Sequence, residues 1–118
     1  MKKHIVIIED DRSLQETMQV MLEDAGYKVT TFGSPGTVEE LAGLKADLFI
    51  IDERLPFVSG HILCIMLHGN ALSKAVPQVL ISASPMLAKF AELGEVDASL
   101  RKPFGMEDLL AVAERLLL

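Results

Sequence analysis

Residues 48–56 carry the sequence LFIIDERLP, which starts as an apolar run and ends in a charged loop. The first four residues show no alternation of apolar and polar side chains, which is typical of a strand that is buried on both faces. The run stops abruptly at Asp52, and proline follows at position 56. The stretch therefore predicts a buried strand of a parallel sheet that delivers an aspartate at its carboxyl end.

Four other stretches predict strands on either side of this one. An Ile- and Val-rich segment near the N-terminus has the same fully buried character. The segment YKVTTF alternates and is rich in β-forming residues, which favours a strand with one wetter face. A later strand has proline at its first position, where proline is allowed. The five predicted strands are His4–Ile8, Tyr27–Phe32, Leu48–Ile51, Pro77–Ser82 and Ala98–Arg101.

The first two predicted helices are marked by capping boxes. Ser13 and Glu16 form an S-x-x-E pattern that predicts the start of the first helix. Gly26 suits the left-handed conformation that ends such a helix. Thr37 and Glu40 form a second capping box, which predicts a short second helix.

Three further helices follow the later strands. The third, over residues 60 to 68, is apolar on almost every side. Ser84 and Pro85 suit the N-cap and first turn of the fourth helix, and the last helix runs from Met106 to the end of the chain. The predicted inward face of the fourth helix consists of Leu87, Phe90, Ala91 and Leu93.

Five strands that each precede a helix predict an α/β fold, with a parallel sheet, right-handed crossovers and helices on both faces. The expected strand order is 2-1-3-4-5, the flavodoxin-like arrangement, within a single domain over residues 1–118. The first and third strands are then neighbours where the winding direction reverses. A ligand site is expected beyond their carboxyl ends.

Composition excludes several functional classes. Lys and Arg number 11 and Asp and Glu number 17, so the net charge of −6 argues against direct nucleic acid binding by this domain. With 50% apolar and 24% charged residues, the chain is not intrinsically disordered. Cys64 is the sole cysteine, which excludes an internal disulfide and a cysteine-based zinc cluster. No apolar stretch is long enough for a membrane helix, so we expect a soluble, cytoplasmic domain.

Chemically capable side chains collect at the predicted carboxyl ends of the strands. Glu9 and Asp10 follow the first strand, Asp52 the third, Ser82 the fourth and Lys102 the fifth. Two carboxylates about 5 Å apart repel by roughly 3 kcal/mol at an effective dielectric constant near 20, so the cluster needs solvation, protonation or a cation. An all-oxygen ligand set with open positions suits Mg²⁺. Metal, ammonium and hydroxyl could together hold a phosphoryl group, with Asp52 as the nucleophile that accepts it.

Four motifs in this order resemble the receiver domain of two-component response regulators. They are IIEDD at residues 7–11, LFIIDERLP at 48–56 followed by Gly60, LISAS at 80–84 and RKPF at 101–104. The resemblance covers nearly the whole chain. It implies a signalling switch rather than an enzyme, one that assists only its own phosphorylation and dephosphorylation.

The resemblance also implies a role for each site residue. Asp52 would be phosphorylated from a phosphohistidine on a sensor histidine kinase or a histidine phosphotransfer protein. Glu9, Asp10, Asp52 and the backbone carbonyl of Arg54 would hold Mg²⁺. Lys102 would pair with the phosphoryl oxygens and Ser82 would hydrogen-bond to them, and the signal would pass to a downstream effector domain or protein. A cis peptide bond is implied between Lys102 and Pro103.

The sequence departs from the family pattern at three places. Ser99 stands where most receivers carry Tyr or Phe, so the usual aromatic switch cannot operate. The stretch from Ser82 to Lys102 is short for the family, which predicts a reduced fourth helix. Arg54 lies two residues after the acceptor. One hypothesis is that its guanidinium reaches the phosphoryl oxygens or the acidic pocket, and the alternative is a solvated arginine.

Two other functions compete with the phosphoacceptor. A pseudo-receiver would have the same fold and signal through protein contacts without phosphorylation. Ser99 and the short fourth helix leave room for it, whereas the presence of Asp52, Lys102, Ser82 and the acidic pair argues against it. A flavin- or nucleotide-binding enzyme would need a phosphate-cradling first loop, whereas EDDRS at 9–13 repels anions unless a metal intervenes. We rank the second alternative last.

Apolar surface and isolated residues allow further expectations. The apolar third helix and Leu116–Leu118 predict exposed hydrophobic surface, as in a homodimer interface or in a chain cut from a longer protein. His4, His61 and His68 have no partner ligand at a suitable spacing, so we expect them at surface or edge positions. Cys64 is expected to pack as a small hydrophobic residue.

Overall fold

The computed structural model describes residues 1–118 and contains five strands and five helices. The strands are β1 (His4–Ile8), β2 (Lys28–Phe32), β3 (Leu48–Asp52), β4 (Gln78–Ser82) and β5 (Ala98–Arg101). The helices are α1 (Arg12–Asp24), α2 (Val38–Ala42), α3 (Gly60–His68), α4 (Leu87–Gly94) and α5 (Met106–Leu116). The strands form one parallel sheet in the order β2-β1-β3-β4-β5, which confirms the predicted fold class.

The register of the sheet brings the carboxyl ends of the central strands to one edge. Ile8 of β1 pairs with Ile51 of β3, and Asp52 pairs with Ile81 of β4. Ser82, the last residue of β4, pairs with Arg101 at the end of β5. Residues that directly follow these strands therefore emerge side by side, at the edge where the sequence predicted a ligand site.

The sheet separates two hydrophobic cores, which explains why its central strands are apolar without alternation. Ile5 and Ile7 of β1 face a core that includes side chains of α1 and α5, whereas Val6 and Ile8 face a core closed by α2, α3 and α4. The helix residues buried in the first core are Met18, Leu22, Leu109 and Ala113. Those buried in the second core are Leu41, Leu63, Cys64, Leu67 and Leu87. Each β1 side chain is thus removed from water, whichever face it is on.

Helix α1 starts one residue earlier than its predicted capping residue. The N-cap is Asp11, whose side chain accepts a hydrogen bond from the Leu14 amide at 3.2 Å, so the prediction of Ser13 as the cap was wrong. Aspartate caps a helix as well as serine does, and it satisfies an amide two residues closer to β1 than the predicted box would. The predicted stop at Gly26 is confirmed by its left-handed φ of 101°. The predicted start of the second helix is confirmed, because Thr37 is the N-cap of α2 and accepts from the Glu40 amide at 3.1 Å.

Helix α4 is short, as predicted, but begins later than Ser84 and Pro85 indicated. The Ser84 hydroxyl instead closes a local turn by accepting from the Met86 amide at 3.0 Å, and the helix starts at Leu87. The inward assignment of Leu93 was also wrong, because this side chain is 47% exposed. Gly94 is the buried residue at this end of the helix, where an added Cβ would lie 3.3 Å from the backbone oxygen of His61.

The expectation for the histidines holds only in part. His4 is buried in a central strand, and its Nε2 lies 2.7 Å from the Thr30 hydroxyl oxygen, so its surface assignment was wrong. Cys64 is buried as expected, and burial raises the pKa of its thiol to about 12. The predicted exposed apolar surface is confirmed on α3, where Ile62, Ile65 and Met66 are exposed. No helix has the length and apolar character of a membrane span.

Candidate functional site

The carboxyl edge of the sheet brings together the five side chains predicted from the strand ends. Glu9 and Asp10 follow β1, Asp52 ends β3, Ser82 ends β4 and Lys102 follows β5. All of these except Glu9 line one open cleft, and Glu9 lies buried behind it. The structure therefore brings the residues predicted from the strand ends together at one site.

Lys102 joins two of the three carboxylates. Its Nζ lies 2.8 Å from Glu9 Oε1 and 3.2 Å from Asp52 Oδ1. The lysine side chain is 21% exposed, whereas those of Glu9 and Asp52 are 0% and 4% exposed. Because burial strengthens the attraction between opposite charges, this ammonium offsets the repulsion expected between the two acids.

Glu9 is the most deeply buried acid of the cluster. Its Oε2 accepts a hydrogen bond from the Asp11 amide at 3.0 Å, while Oε1 pairs with Lys102 Nζ at 2.8 Å. Burial raises the pKa of Glu9 to about 7, and the hydrogen bonds from Lys102 and Asp11 offset this rise only in part. Glu9 therefore exchanges a proton near neutral pH.

The pKa values of Asp52 and Lys102 reflect the same balance. Burial raises the pKa of Asp52 above its ordinary value, although the charge and hydrogen bond of Lys102 act in the opposite direction. Burial alone would lower the pKa of Lys102, but its hydrogen bond to Glu9 and the charges of Asp52 and Glu9 outweigh that effect, so its pKa is raised. Lys102 is thus held as a cation at the site.

The acidic cluster has the composition of a Mg²⁺ site. Three carboxylate oxygens, one each from Glu9, Asp10 and Asp52, lie within 4.8 Å of one another. Asp10 is exposed, which leaves room for water and substrate beside a cation. Mg²⁺ prefers a few carboxylates and retains several waters, so this donor set fits it.

Ser82 is positioned to donate a hydrogen bond into the cleft. It is only 5% exposed, and its hydroxyl oxygen accepts from the Ser84 amide at 3.0 Å. Its hydroxyl proton remains available to a ligand that lies beside Asp52. Ser99, where the family pattern has an aromatic residue, is an exposed residue of β5.

The loop after Asp52 is held close to α3 by glycine. The Gly60 amide donates to the Glu53 carbonyl at 2.9 Å, and a Cβ at position 60 would lie only 2.8 Å from the Glu53 Cα. Arg54 lines the cleft but is exposed and forms no ion pair with the acids, so the hypothesised guanidinium contact is absent here. The Lys102–Pro103 peptide bond is cis, as the resemblance implied.

Sequence reasoning missed three residues beside the cleft. Glu53, directly after Asp52, is buried and accepts a hydrogen bond from the His61 amide at 2.9 Å, and its Oε2 lies 2.8 Å from His61 Nδ1. The His61 ring stacks on Phe90, a residue that lines the cleft, with a centroid distance of 4.9 Å. The only signal in the sequence was the position of Glu53 directly after a buried strand. A charged residue at that position is equally typical of a solvated loop.

The chain is similar over most of its length to known proteins. The model of the response regulator receiver domain matches residues 5–114. The chain is 35% identical over 117 residues to the C4-dicarboxylate transport transcriptional regulatory protein DctD of Rhizobium meliloti, which covers 94% of this chain and 24% of that protein. It is 26% identical over 110 residues to Protein PilG of Pseudomonas aeruginosa, which covers 90% of this chain and 81% of that protein.

Solved structures share the fold. A CheY-like response regulator receiver domain protein from Methanospirillum hungatei superposes with a TM-score of 0.83 at 27% identity, over 98% of this chain and 94% of that one. The receiver domain of a sensor histidine kinase from Pseudomonas aeruginosa, with a magnesium ion coordinated in its active site cleft, superposes with a TM-score of 0.89 at 22% identity, over 99% of this chain and 98% of that one. At 22% identity, the superposition on the kinase receiver domain supports a common fold alone. The chain spans only 24% of DctD and 56% of FixJ of Bradyrhizobium diazoefficiens.

Proposed function

This chain belongs to the response regulator receiver domain family of two-component signalling, and on that premise we propose that Asp52 is its phosphoacceptor. The donor is a phosphohistidine on a sensor histidine kinase or a histidine phosphotransfer protein. A carboxylate oxygen of Asp52 forms the new O–P bond while the P–N bond breaks, and the electron pair of that bond returns to the imidazole nitrogen. The acceptor role is standard for this family.

One observation carries the assignment to Asp52. Its Oδ1 lies 3.2 Å from Lys102 Nζ at the carboxyl end of a central strand, with Glu9 and Asp10 in the same cluster. No other carboxylate that lines the cleft combines burial with an ammonium partner, since the buried Glu53 bonds to His61 through both of its oxygens. Asp10 lines the cleft but is exposed, and Glu9 lies behind it.

The remaining site residues support the transfer. Glu9, Asp10, Asp52 and the backbone carbonyl of Arg54 would hold Mg²⁺, which when bound neutralises charge on the phosphoryl oxygens. Lys102 would pair with those oxygens from the opposite side, since it already lies beside Asp52. Ser82 would donate its free hydroxyl proton to the phosphoryl group.

The proposal extends to partners and location. DctD and FixJ carry names of transcriptional regulatory proteins, and this chain matches only part of each. We infer that the domain passes its signal to an effector domain or protein and does not itself bind nucleic acid, since its net charge is −6. A cytoplasmic location is supported by the single unpaired Cys64. Its chemistry would be limited to its own phosphorylation and dephosphorylation.

Incubation with Mg²⁺ and acetyl phosphate, followed by intact-mass measurement, tests the proposal. The wild type should gain the mass of one phosphoryl group, and Asp52→Asn should gain none. Asp47→Asn is a matched control. Asp47 directly precedes β3, and its carboxylate accepts a hydrogen bond from the His4 amide at the amino-terminal edge of the sheet, opposite the cleft. It should be phosphorylated like the wild type. A folded wild type that forms no adduct would favour the pseudo-receiver instead.

A further inference from the structure

His61 connects the segment after Asp52 to two helices. Its backbone amide donates to Glu53 Oε1 at 2.9 Å, and its ring Nδ1 lies 2.8 Å from Glu53 Oε2. An ionised carboxylate can only accept, so the ring nitrogen acts as the donor. The two side chains are only 13% and 10% exposed, which makes this a well-shielded pair of bonds.

The Glu53 carboxylate takes the place of an N-cap side chain at the start of α3. Ser59 holds the N-cap position of α3 but forms no side-chain hydrogen bond there. The first amides of a helix need acceptors, and a negative charge is favourable at this end. Glu53 supplies both from the end of β3, so the start of α3 is bonded to the residue between Asp52 and Arg54.

The other side of His61 contacts α4. Its ring stacks on Phe90 at 4.9 Å with an interplanar angle of 12°. Gly94 lets α4 approach, because an added Cβ would lie 3.3–3.4 Å from His61 atoms. Phe90 lines the same cleft as Asp52, Ser82 and Lys102. His61 is thus packed between the loop that carries the acceptor and the helix that walls the cleft.

We propose that His61 is a positioning residue for the phosphoacceptor site. By holding the Glu53 carboxylate with two hydrogen bonds, it fixes the backbone of residues 52–54, which supplies the Asp52 carboxylate and the Arg54 carbonyl. Outer residues of this kind orient metal ligands in many proteins. The inference rests on the proposed function, because the ligands it positions are those assigned to Mg²⁺.

Two variants separate the hydrogen bond from the aromatic stack. His61→Phe keeps a ring against Phe90 but removes the donor to Glu53. His61→Asn places an amide near the former Nδ1 position, where it can donate to Glu53, but removes the ring. We expect His61→Phe to weaken Mg²⁺ binding about tenfold and to slow phosphorylation by acetyl phosphate at subsaturating Mg²⁺. We expect His61→Asn to restore both towards wild-type values.

Calorimetric titration of Mg²⁺ into each folded variant provides the readout, with circular dichroism as the check on folding. A residue that served only stability would lower the midpoint of thermal unfolding but leave the Mg²⁺ affinity of the folded protein unchanged. His61→Phe with wild-type affinity would therefore overturn the inference while leaving the proposed function intact. A wild type that binds no Mg²⁺ would overturn the proposed function, and the inference with it.

A measurement on the wild type covers the case in which His61→Phe does not fold. The ring nitrogen resonances of His61 should shift on Mg²⁺ addition with the same midpoint as the calorimetric binding curve. Those of His68, at the other end of α3, should not shift. Unchanged His61 resonances at saturating Mg²⁺ would contradict the inference.

Discussion

Single residues determine how three acids can lie in one cluster. Lys102 lies within 3.2 Å of both Glu9 and Asp52 and supplies the positive charge that both need. Even so, burial leaves Glu9 with a pKa raised to about 7. The sequence predicted these residues because each follows a strand, but the protonation of Glu9 depends on its complete burial, which only the folded chain produces.

The raised pKa of Glu9 should make Mg²⁺ binding at the proposed site sensitive to pH near neutrality. Mg²⁺ binds the ionised carboxylate and competes with the proton, so affinity should rise as pH increases through 7. From about pH 6 to about pH 8 the ionised fraction of a group with a pKa of about 7 increases about tenfold, and the association constant should follow it. Calorimetry at the two pH values measures this change. Glu9→Gln, which cannot titrate, should bind more weakly and show a flatter profile, and a wild-type affinity that is equal at both pH values would contradict the prediction.

Phe57 adopts a conformation that aromatic residues rarely occupy. Its φ is 72° and its side chain is 98% exposed, so no burial compensates for the left-handed backbone. Phe57→Gly should raise the free energy of unfolding by about 1 kcal/mol, because glycine adopts this conformation without steric cost. Urea denaturation measures the change. Ser59→Gly is the control, since Ser59 has an ordinary φ of −69° and glycine should not stabilise the protein there. Equal effects of the two substitutions would be evidence against backbone strain at Phe57.

Helix boundaries depend on which of several capable residues the folded chain uses as caps. Ser13 was the predicted cap of α1, but Asp11 takes that role. At α4, Ser84 closes a turn rather than capping the helix. Serine and aspartate have similar local preferences for these positions. Which residue becomes the cap depends on how the preceding strand connects to the helix. The residue pattern within the helix carries no information about that connection.

Close packing of α3 against β3 makes Gly60 essential for the loop. An added Cβ would lie 2.8 Å from both the Asp52 carbonyl carbon and the Glu53 Cα, and backbone atoms cannot move aside as a flexible side chain can. Gly60→Ala should therefore lower the free energy of unfolding by about 2–3 kcal/mol. Gly69→Ala, at the other end of α3, should change it by less than about 0.5 kcal/mol, because nothing lies closer than 3.4 Å there. Urea denaturation of both variants tests this, and similar losses in the two would show that the contact at Gly60 is not the cause.

For the molecule as a whole, binding of Mg²⁺ at the proposed site should be linked to folding. The proposed site takes acids from β1 and β3, which come together only in the native sheet. Mg²⁺ should therefore stabilise the native state, by about 2.7 kcal/mol at a concentration one hundred times its Kd. Urea denaturation in MgCl₂, compared with NaCl at equal ionic strength, measures the gain. Asp10→Asn should show a smaller gain at the same Mg²⁺ concentration, and equal stabilisation by the two salts would argue against a specific site.

Much of the architecture could be predicted because its signals are local. The unalternating Ile-rich runs of β1 and β3 indicated burial on both faces, and the two cores on either side of the sheet confirm it. Parallel strands end at the same edge, so the positions of Glu9, Asp52, Ser82 and Lys102 followed from the strand assignments. The N-cap signal at Thr37 is equally local, and the start of α2 at that residue is confirmed.

From its residues alone this chain specified the buried parallel strands and the edge at which the acids and the lysine meet, because hydrophobic period and chain direction are properties of short segments. Folding decided the contacts between segments far apart along the chain. Glu53 meets His61, His61 meets Phe90, and His4 is buried against Thr30. These contacts depend on which faces of neighbouring elements come together, and periodicity within one element does not encode that choice.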